Sequence, residues 1–120
     1  MTQPNIQIQV RKASPSDSTG VYMLDITGEI NAQAESALMD AYTQANSAGA
    51  QTLILNFQNL QYMNSSGIGL LVTLLIRVQR QKQHLHVCNL SDHYRQIFEL
   101  TRLNEAIGLF ATEAEALIAI

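Results

Sequence analysis

TLILNFQNLQYMNSSGIGLL, residues 52–71, carries the chain from a strand into a helix. Thr52 to Phe57 is almost continuously apolar. That is the pattern of a central parallel strand, buried on both faces, rather than of an edge. Gln58 to Ser66 is polar and reads as a loop. From Gly67 the apolar spacing lengthens to that of a helix running to about Gln83. Leu71, Leu75 and Val78 mark its buried stripe, and Thr73, Arg77, Arg80 and Gln81 its wet side.

On the N-terminal side, Ile6, Ile8 and Val10 alternate with Gln7, Gln9 and Arg11, the period of a strand with one polar face. Ala13 to Gly20 is a turn-rich connector and Val21 to Ile26 a second strand, which predicts a hairpin. Gly28-Glu-Ile-Asn31 breaks that strand. Asn31 then caps a helix over 32–48, and Gly49 ends it. On the C-terminal side follow a strand over 85–88, a helix over 92–100, a short strand at 108–110 and a last helix over 113–120. This order predicts an α/β domain: a mixed four- or five-stranded sheet with helices packed on it. One domain is expected over residues 6–120, preceded by a flexible tail at residues 1–5.

Charge is scarce and unevenly placed. Charged residues make up 14% of the chain, about half the usual share. None lies between Ala41 and Ile76, and no histidine does either. No carboxylate pair, metal cluster or lysine nucleophile can therefore be built locally within that stretch. A net charge of -3 disfavours an electrostatic nucleic-acid binder. The single cysteine, Cys88, permits no intrachain disulfide, which fits a reducing compartment. The longest apolar run, Ile68 to Ile76, falls far short of the roughly 20 residues of a membrane span. The expectation is a cytoplasmic protein without membrane insertion.

Two hydroxyls, Ser65 and Ser66, sit where the helix begins. Free backbone N–H groups and a partial positive charge gather at a helix N-terminus, a natural place to hold a phosphate. A serine there either caps the helix or accepts a phosphate covalently. Gly67 and Gly69 leave the first turn bare, so a partner can approach closely.

Met63-Asn-Ser-Ser-Gly-Ile-Gly69 resembles the signature of the STAS domain family, in particular of bacterial anti-sigma factor antagonists. Leu24-Asp-Ile-Thr-Gly-Glu-Ile-Asn31 is similar to the family's strand ending in Gly-Glu-Leu-Asp, and Val87 to Leu103 follows the family's strand, loop and helix. Three such matches in order span essentially the whole chain. The resemblance implies a binding switch with no cofactor and no catalysis of its own. A partner anti-sigma factor with serine kinase activity, holding the ATP, would phosphorylate Ser65, with Ser66 as second choice. Unphosphorylated protein would capture the anti-sigma factor and free a sigma factor, and a PP2C-type phosphatase would reset it. The partner surface implied is Gly28, Glu29, Ile30 and Asn31, expected as a loop beside the junction, with Asn64, Ser66, Gly67 and Ile68. Thr73 and Arg77 are weaker members. Asn64 and Asn31 replace the family's aspartates and remove negative charge beside the acceptor. A non-phosphorylated scaffold, or a subunit of a larger signalling or transport complex, is the alternative.

Other chemistries fit less well. Ser65 or Ser66 with Asp92 and His93 has the chain order of an α/β-hydrolase triad, but lacks the Gly-x-Ser-x-Gly elbow. His84, His86 and Cys88 fall on one face of a strand, yet make a poor tetrahedral metal set without a fourth ligand. Arg77, Arg80, Lys82, Arg95 and Arg102 read as solvated helix faces, with a minor role in meeting acidic residues of a partner.

Overall fold

The computed structural model describes residues 5–13 and 20–120. Five strands form one sheet in the order β1-β2-β3-β4-β5. They are β1 (Ile6–Lys12), β2 (Val21–Ile30), β3 (Thr52–Met63), β4 (His84–Cys88) and β5 (Gly108–Phe110). β1 runs antiparallel to β2, from Ile6 opposite Gly28 to Lys12 opposite Tyr22, as the hairpin expectation requires. Most of the connector and residues 1–4 of the expected tail lie outside the described residues. Asn5 is fixed: its carbonyl accepts the Glu29 N–H at 2.8 Å.

The remaining neighbours are parallel, so each pair needs a crossover. A 3₁₀ turn (Ala32–Ala34) and α1 (Glu35–Ser47) make the first, α2 (Ser65–Arg80) the second and α3 (Asp92–Leu100) the third. All three helices drive their apolar stripes onto one face of the sheet. Leu38 of α1, Leu71 and Leu74 of α2 and Phe98 of α3 join Leu24, Leu53, Leu55 and Val87 in a single core. The opposite face is covered at one end by α4 (Glu113–Ile118), where Ala116 packs with Met23, Ile54 and Cys88.

Two sequence expectations fail here, for one reason. Gly28 to Ile30 does not break β2, and Gln58 to Met63 is not a loop but the outer half of β3. The two segments pair with each other in parallel, from Thr27 opposite Asn59 to Ile30 opposite Met63. Register slips after Asp25 and again after Gly28 insert extra β3 residues, which disguises the alternation in sequence. Gly28 stays in the strand at φ +110°, and a Cβ there would lie 2.3 Å from the Asn5 carbonyl oxygen. Strand β4 pairs with β3 only as far as Asn56, so the amide-rich outer half of β3 is left largely exposed.

Among the described residues, no helix is long and apolar enough to cross a membrane.

Candidate functional site

The carboxyl ends of β2 and β3 meet, side by side, the starts of the 3₁₀ turn and α2. Ligand sites of α/β sheets gather in this position, because helix N-termini and turns converge there. Ile30 and Met63 are paired, and the chain leaves the sheet one residue later on each strand, at Asn31 and Asn64.

Both asparagines are helix caps. The Asn64 Oδ1 accepts the Gly67 N–H at 2.9 Å, and the Asn31 Oδ1 accepts the Gln33 N–H at 2.9 Å. Helix α2 therefore starts at Ser65, not at Gly67, and neither serine is its cap. Asn64 takes that position because its short amide reaches the third free N–H from an extended backbone at φ -100°, ψ -176°. Ser65 and Ser66 are left exposed in the first turn.

Gly67 explains how α2 can begin so close to β2. It is buried, and a Cβ there would lie 2.0 Å from the Ile30 carbonyl oxygen and 2.7 Å from its carbon. The same Ile30 carbonyl accepts the Asn64 N–H at 3.3 Å. Gly69 differs: it is exposed, and nothing lies within 4 Å of where its Cβ would be. One glycine serves packing; the other bares the surface.

The other predicted residues divide by position. Gly28 and Ile30 are buried within β2, Glu29 is half-buried and Asn31 lies at the rim. Glu29 accepts the Asn5 side-chain amide at 2.9 Å. Ile68 is half-buried against the core. Thr73 is exposed and donates its hydroxyl to the Gly69 carbonyl. Arg77 is separated from the junction: twelve residues along α2 from Ser65 amounts to about 18 Å of helix. It lines a cleft with Tyr42 of α1 instead.

Sequence reasoning missed four contributors. Tyr94, at the start of α3, accepts the Met63 N–H on its hydroxyl at 2.9 Å and so ties a third element to the junction. Val72 and Ile76, assigned to neither face from the sequence, are 36% and 44% exposed. They follow Ser65 and Gly69 at helical spacing, so serine, bare glycine and two apolar side chains form one outward stripe along α2. Tyr62, 50% exposed on the outer half of β3, adds a further apolar surface. The wet side expected from Thr73, Arg77, Arg80 and Gln81 is the exposed side of α2; that Val72 and Ile76 also reach the surface was not read from the sequence.

The charged chemistry lies elsewhere. On the sheet face away from α2, Arg11 bonds both oxygens of Asp25 and reaches Glu113 of α4 at 2.7 Å. Burial opposes ionisation of Asp25, but hydrogen bonds from Arg11 and Asn56 outweigh it and hold the carboxyl below its usual range. Burial, then the charges of Glu113 and Asp25, push the Cys88 thiol up to about 11. His84 and His86 stack with ring centroids 6.5 Å apart and nearly parallel planes, and desolvation, followed by the neighbouring His84, lowers the His86 pKa. A separation of 6.5 Å is too wide for two imidazoles to share one zinc ion at about 2 Å from each nitrogen. Among the described residues, no group of three or more His, Cys, Asp or Glu is placed to hold a metal ion.

Comparison with known proteins places the arrangement in context. The sequence model described as STAS domain matches residues 13–116. The anti-sigma-B factor antagonist of Staphylococcus aureus is 27% identical over 84 residues, covering 70% of this chain and 78% of that protein. A crystal structure of an anti-sigma factor antagonist from Mycobacterium paratuberculosis superposes with a TM-score of 0.77 at 21% identity, covering 100% of this chain and 98% of that one. The Bacillus cell fate determinant SpoIIAA in its phosphorylated form gives a TM-score of 0.69 at 23% identity, covering 94% of this chain and 98% of that one.

Proposed function

The chain belongs to the STAS domain family, and we propose that within it this protein is an anti-sigma factor antagonist, a protein-binding module switched by phosphorylation of Ser65. The observation that carries this reading is the division of labour at the α2 N-terminus. Asn64 caps the helix, so the exposed hydroxyls of Ser65 and Ser66 are not consumed by capping.

In the unmodified state the docking surface is neutral: the Ser65–Gly69–Val72–Ile76 stripe, with Ser66, Asn64, Asn31 and the exposed Tyr62 around it. The half-buried Glu29 and Ile68 and the buried Gly28, Ile30 and Gly67 shape it from below, and Thr73 and Arg77 extend it along α2. The partner is an anti-sigma factor with serine kinase activity. Its bound ATP gives up the γ-phosphoryl group to the Ser65 oxygen as the hydroxyl proton leaves. The product carries about -1.5 to -2 charges and three acceptor oxygens. In the free protein the first-turn N–H groups and the helix dipole favour that charge. Against a close-packed neutral interface it is desolvated and unpaired, and each 1.4 kcal/mol lost there is about a tenfold loss of affinity. The chain needs no conformational change to be switched off. A PP2C-type phosphatase reverses the step. Sigma factor, kinase and phosphatase all operate in the cytoplasm, where the reduced, buried Cys88 is at home.

The relatives support this assignment. The S. aureus protein is an antagonist of the anti-sigma-B factor, and SpoIIAA of Bacillus exists in a phosphorylated form. Asn64 in place of the family's aspartate keeps the cap while removing a charge beside the acceptor.

The test is capture of a kinase-like anti-sigma factor by wild type, Ser65→Ala and Ser65→Asp protein, with mass spectrometry after incubation with that partner and ATP. Phosphate on Ser65 and loss of the partner from Ser65→Asp are expected. Equal capture by all three forms, with no phosphate found on either serine, overturns the switch and leaves a non-phosphorylated scaffold.

A further inference from the structure

At the far end of α2 from Ser65, a cleft of about 330 Å³ opens between the C-terminal halves of α1 and α2. Tyr42, Thr43 and Asn46 of α1 line one wall, and Arg77, Arg80 and Gln81 the other. Among the described residues, no Asp or Glu lines it. The ion pairs among the described residues both belong to Arg11, so neither guanidinium in the cleft has a carboxylate partner. These are two of only seven cationic side chains in an acidic protein.

Two of the lining side chains, Tyr42 and Asn46, are held by Gln83, one of the few buried polar side chains among the described residues at 9% exposed. Its Oε1 accepts the Tyr42 hydroxyl at 2.8 Å, while its Nε2 donates to the Asn46 Oδ1 at 2.8 Å and to the Ala50 carbonyl at 2.9 Å. Because the Asn46 oxygen is held inward, its amide N–H groups are left as donors. Thr43 offers no proton, since its hydroxyl donates to the Met39 carbonyl. The cleft thus presents two forked cations and an oriented amide donor. Such donors match the planar oxygens of carboxylates, which arginine binds in bidentate fashion.

We propose that this cleft receives carboxylate side chains from an acidic segment of the protein partner, as a second anchor at the end of the α2 docking surface. The inference rests on the reading of this chain as a protein-binding module, and two features favour that occupant. The cleft is continuous with the proposed surface: exposed Val72 and Ile76 lie on α2 between Ser65 and Arg80. Its charge also complements what the serine end lacks, so the neutral end senses phosphate and the basic end supplies attraction that phosphate does not reach. About 22 Å of helix separates Ser65 from Arg80, beyond the roughly 8 Å screening length at physiological salt.

The probe is N-acetyl-hexaglutamate amide titrated into the full chain at low salt, with hexaglutamine and inorganic phosphate as comparators, read by NMR at the arginine Nε–H and asparagine side-chain signals. Hexaglutamate is expected to shift Arg77, Arg80 and Asn46 selectively. Its binding should weaken at least tenfold in Arg77→Gln/Arg80→Gln and persist in Ser65→Asp. Both replaced side chains are exposed, and the amide fingerprint of the variant shows whether it is folded. Equal shifts at Arg95 and Arg102, or unchanged binding by the double variant, overturn the proposal. So does a response to phosphate as strong as to hexaglutamate, which makes the cleft a phosphate site. Persistence in Ser65→Asp separates the two proposals: the serine switch can fail while the cleft binds, and the reverse.

Discussion

Asn31 and Asn64 are matched caps: each follows one of the paired residues Ile30 and Met63, and each accepts an N–H of the helix it opens at 2.9 Å. The parallel ladder thus sets two helical starts next to each other, both closed by a neutral amide. Each cap makes its hydrogen bond through an amide oxygen and so adds no charge.

Removing the cap is expected to cost stability. Asn64→Ala loses the bond to Gly67 and should lower the unfolding free energy by about 1 kcal/mol. Asn64→Asp keeps the acceptor and adds a negative charge at the positive end of α2, for a gain of about 0.3–1 kcal/mol. Urea denaturation checks both; Asn64→Ala as stable as wild type would mean that the cap is not energetically important.

The glycines of the first turn should respond in opposite ways. Gly67→Ala drives a Cβ into the Ile30 carbonyl, which is backbone and cannot swing aside, so a loss of about 2–3 kcal/mol is expected. Gly69→Ala points into open space and should stabilise α2 by about 0.5–1 kcal/mol. If Gly69 belongs to the docking stripe, that more stable variant nevertheless binds the anti-sigma factor at least tenfold more weakly. Thermal denaturation with a binding titration separates the two effects.

The Arg11–Asp25–Glu113 cluster sets an acid limb. The carboxyl of Asp25 lies below its ordinary 3.8 in the folded protein. Its contribution is therefore fully present above that value and is lost as pH falls through the lower folded-state pKa. Asp25→Asn should be about 1–2 kcal/mol less stable than wild type at pH 7, as expected for losing a charge-assisted bond. The gap should narrow at pH 3, and a gap independent of pH in urea titrations would remove Asp25 from the acid limb.

Cys88 should be unreactive while the chain is folded. It is buried, with its thiol raised to about 11, so at pH 8 only about one molecule in a thousand carries a thiolate. Iodoacetamide should label it slowly in buffer and rapidly in urea. Fast labelling of the native protein would contradict its burial between β4 and α4.

The sequence by itself determined the element types and their order. Thr52 to Phe57 is too apolar to be anything but a buried strand, and α2, α3 and the small β5 were expected close to their observed places. It also marked the serine pair, because an uncharged, glycine-bearing helix start is a local pattern. What it could not yield were features made by pairing between distant residues. Gln58 to Met63 is polar enough for a loop and becomes a strand only because Gly28 to Ile30 lies alongside it. Whether a serine or Asn64 caps α2 depended on backbone angles set where β3 leaves the sheet. The outward turn of Val72 and Ile76, the hydroxyl of Tyr94 against Met63 and the cleft below Arg77 all follow from how the helices settle on one face of the sheet. Hydrophobic periodicity is written along the chain; which donor meets which acceptor is decided only when the sheet brings residues some thirty positions apart within 3 Å.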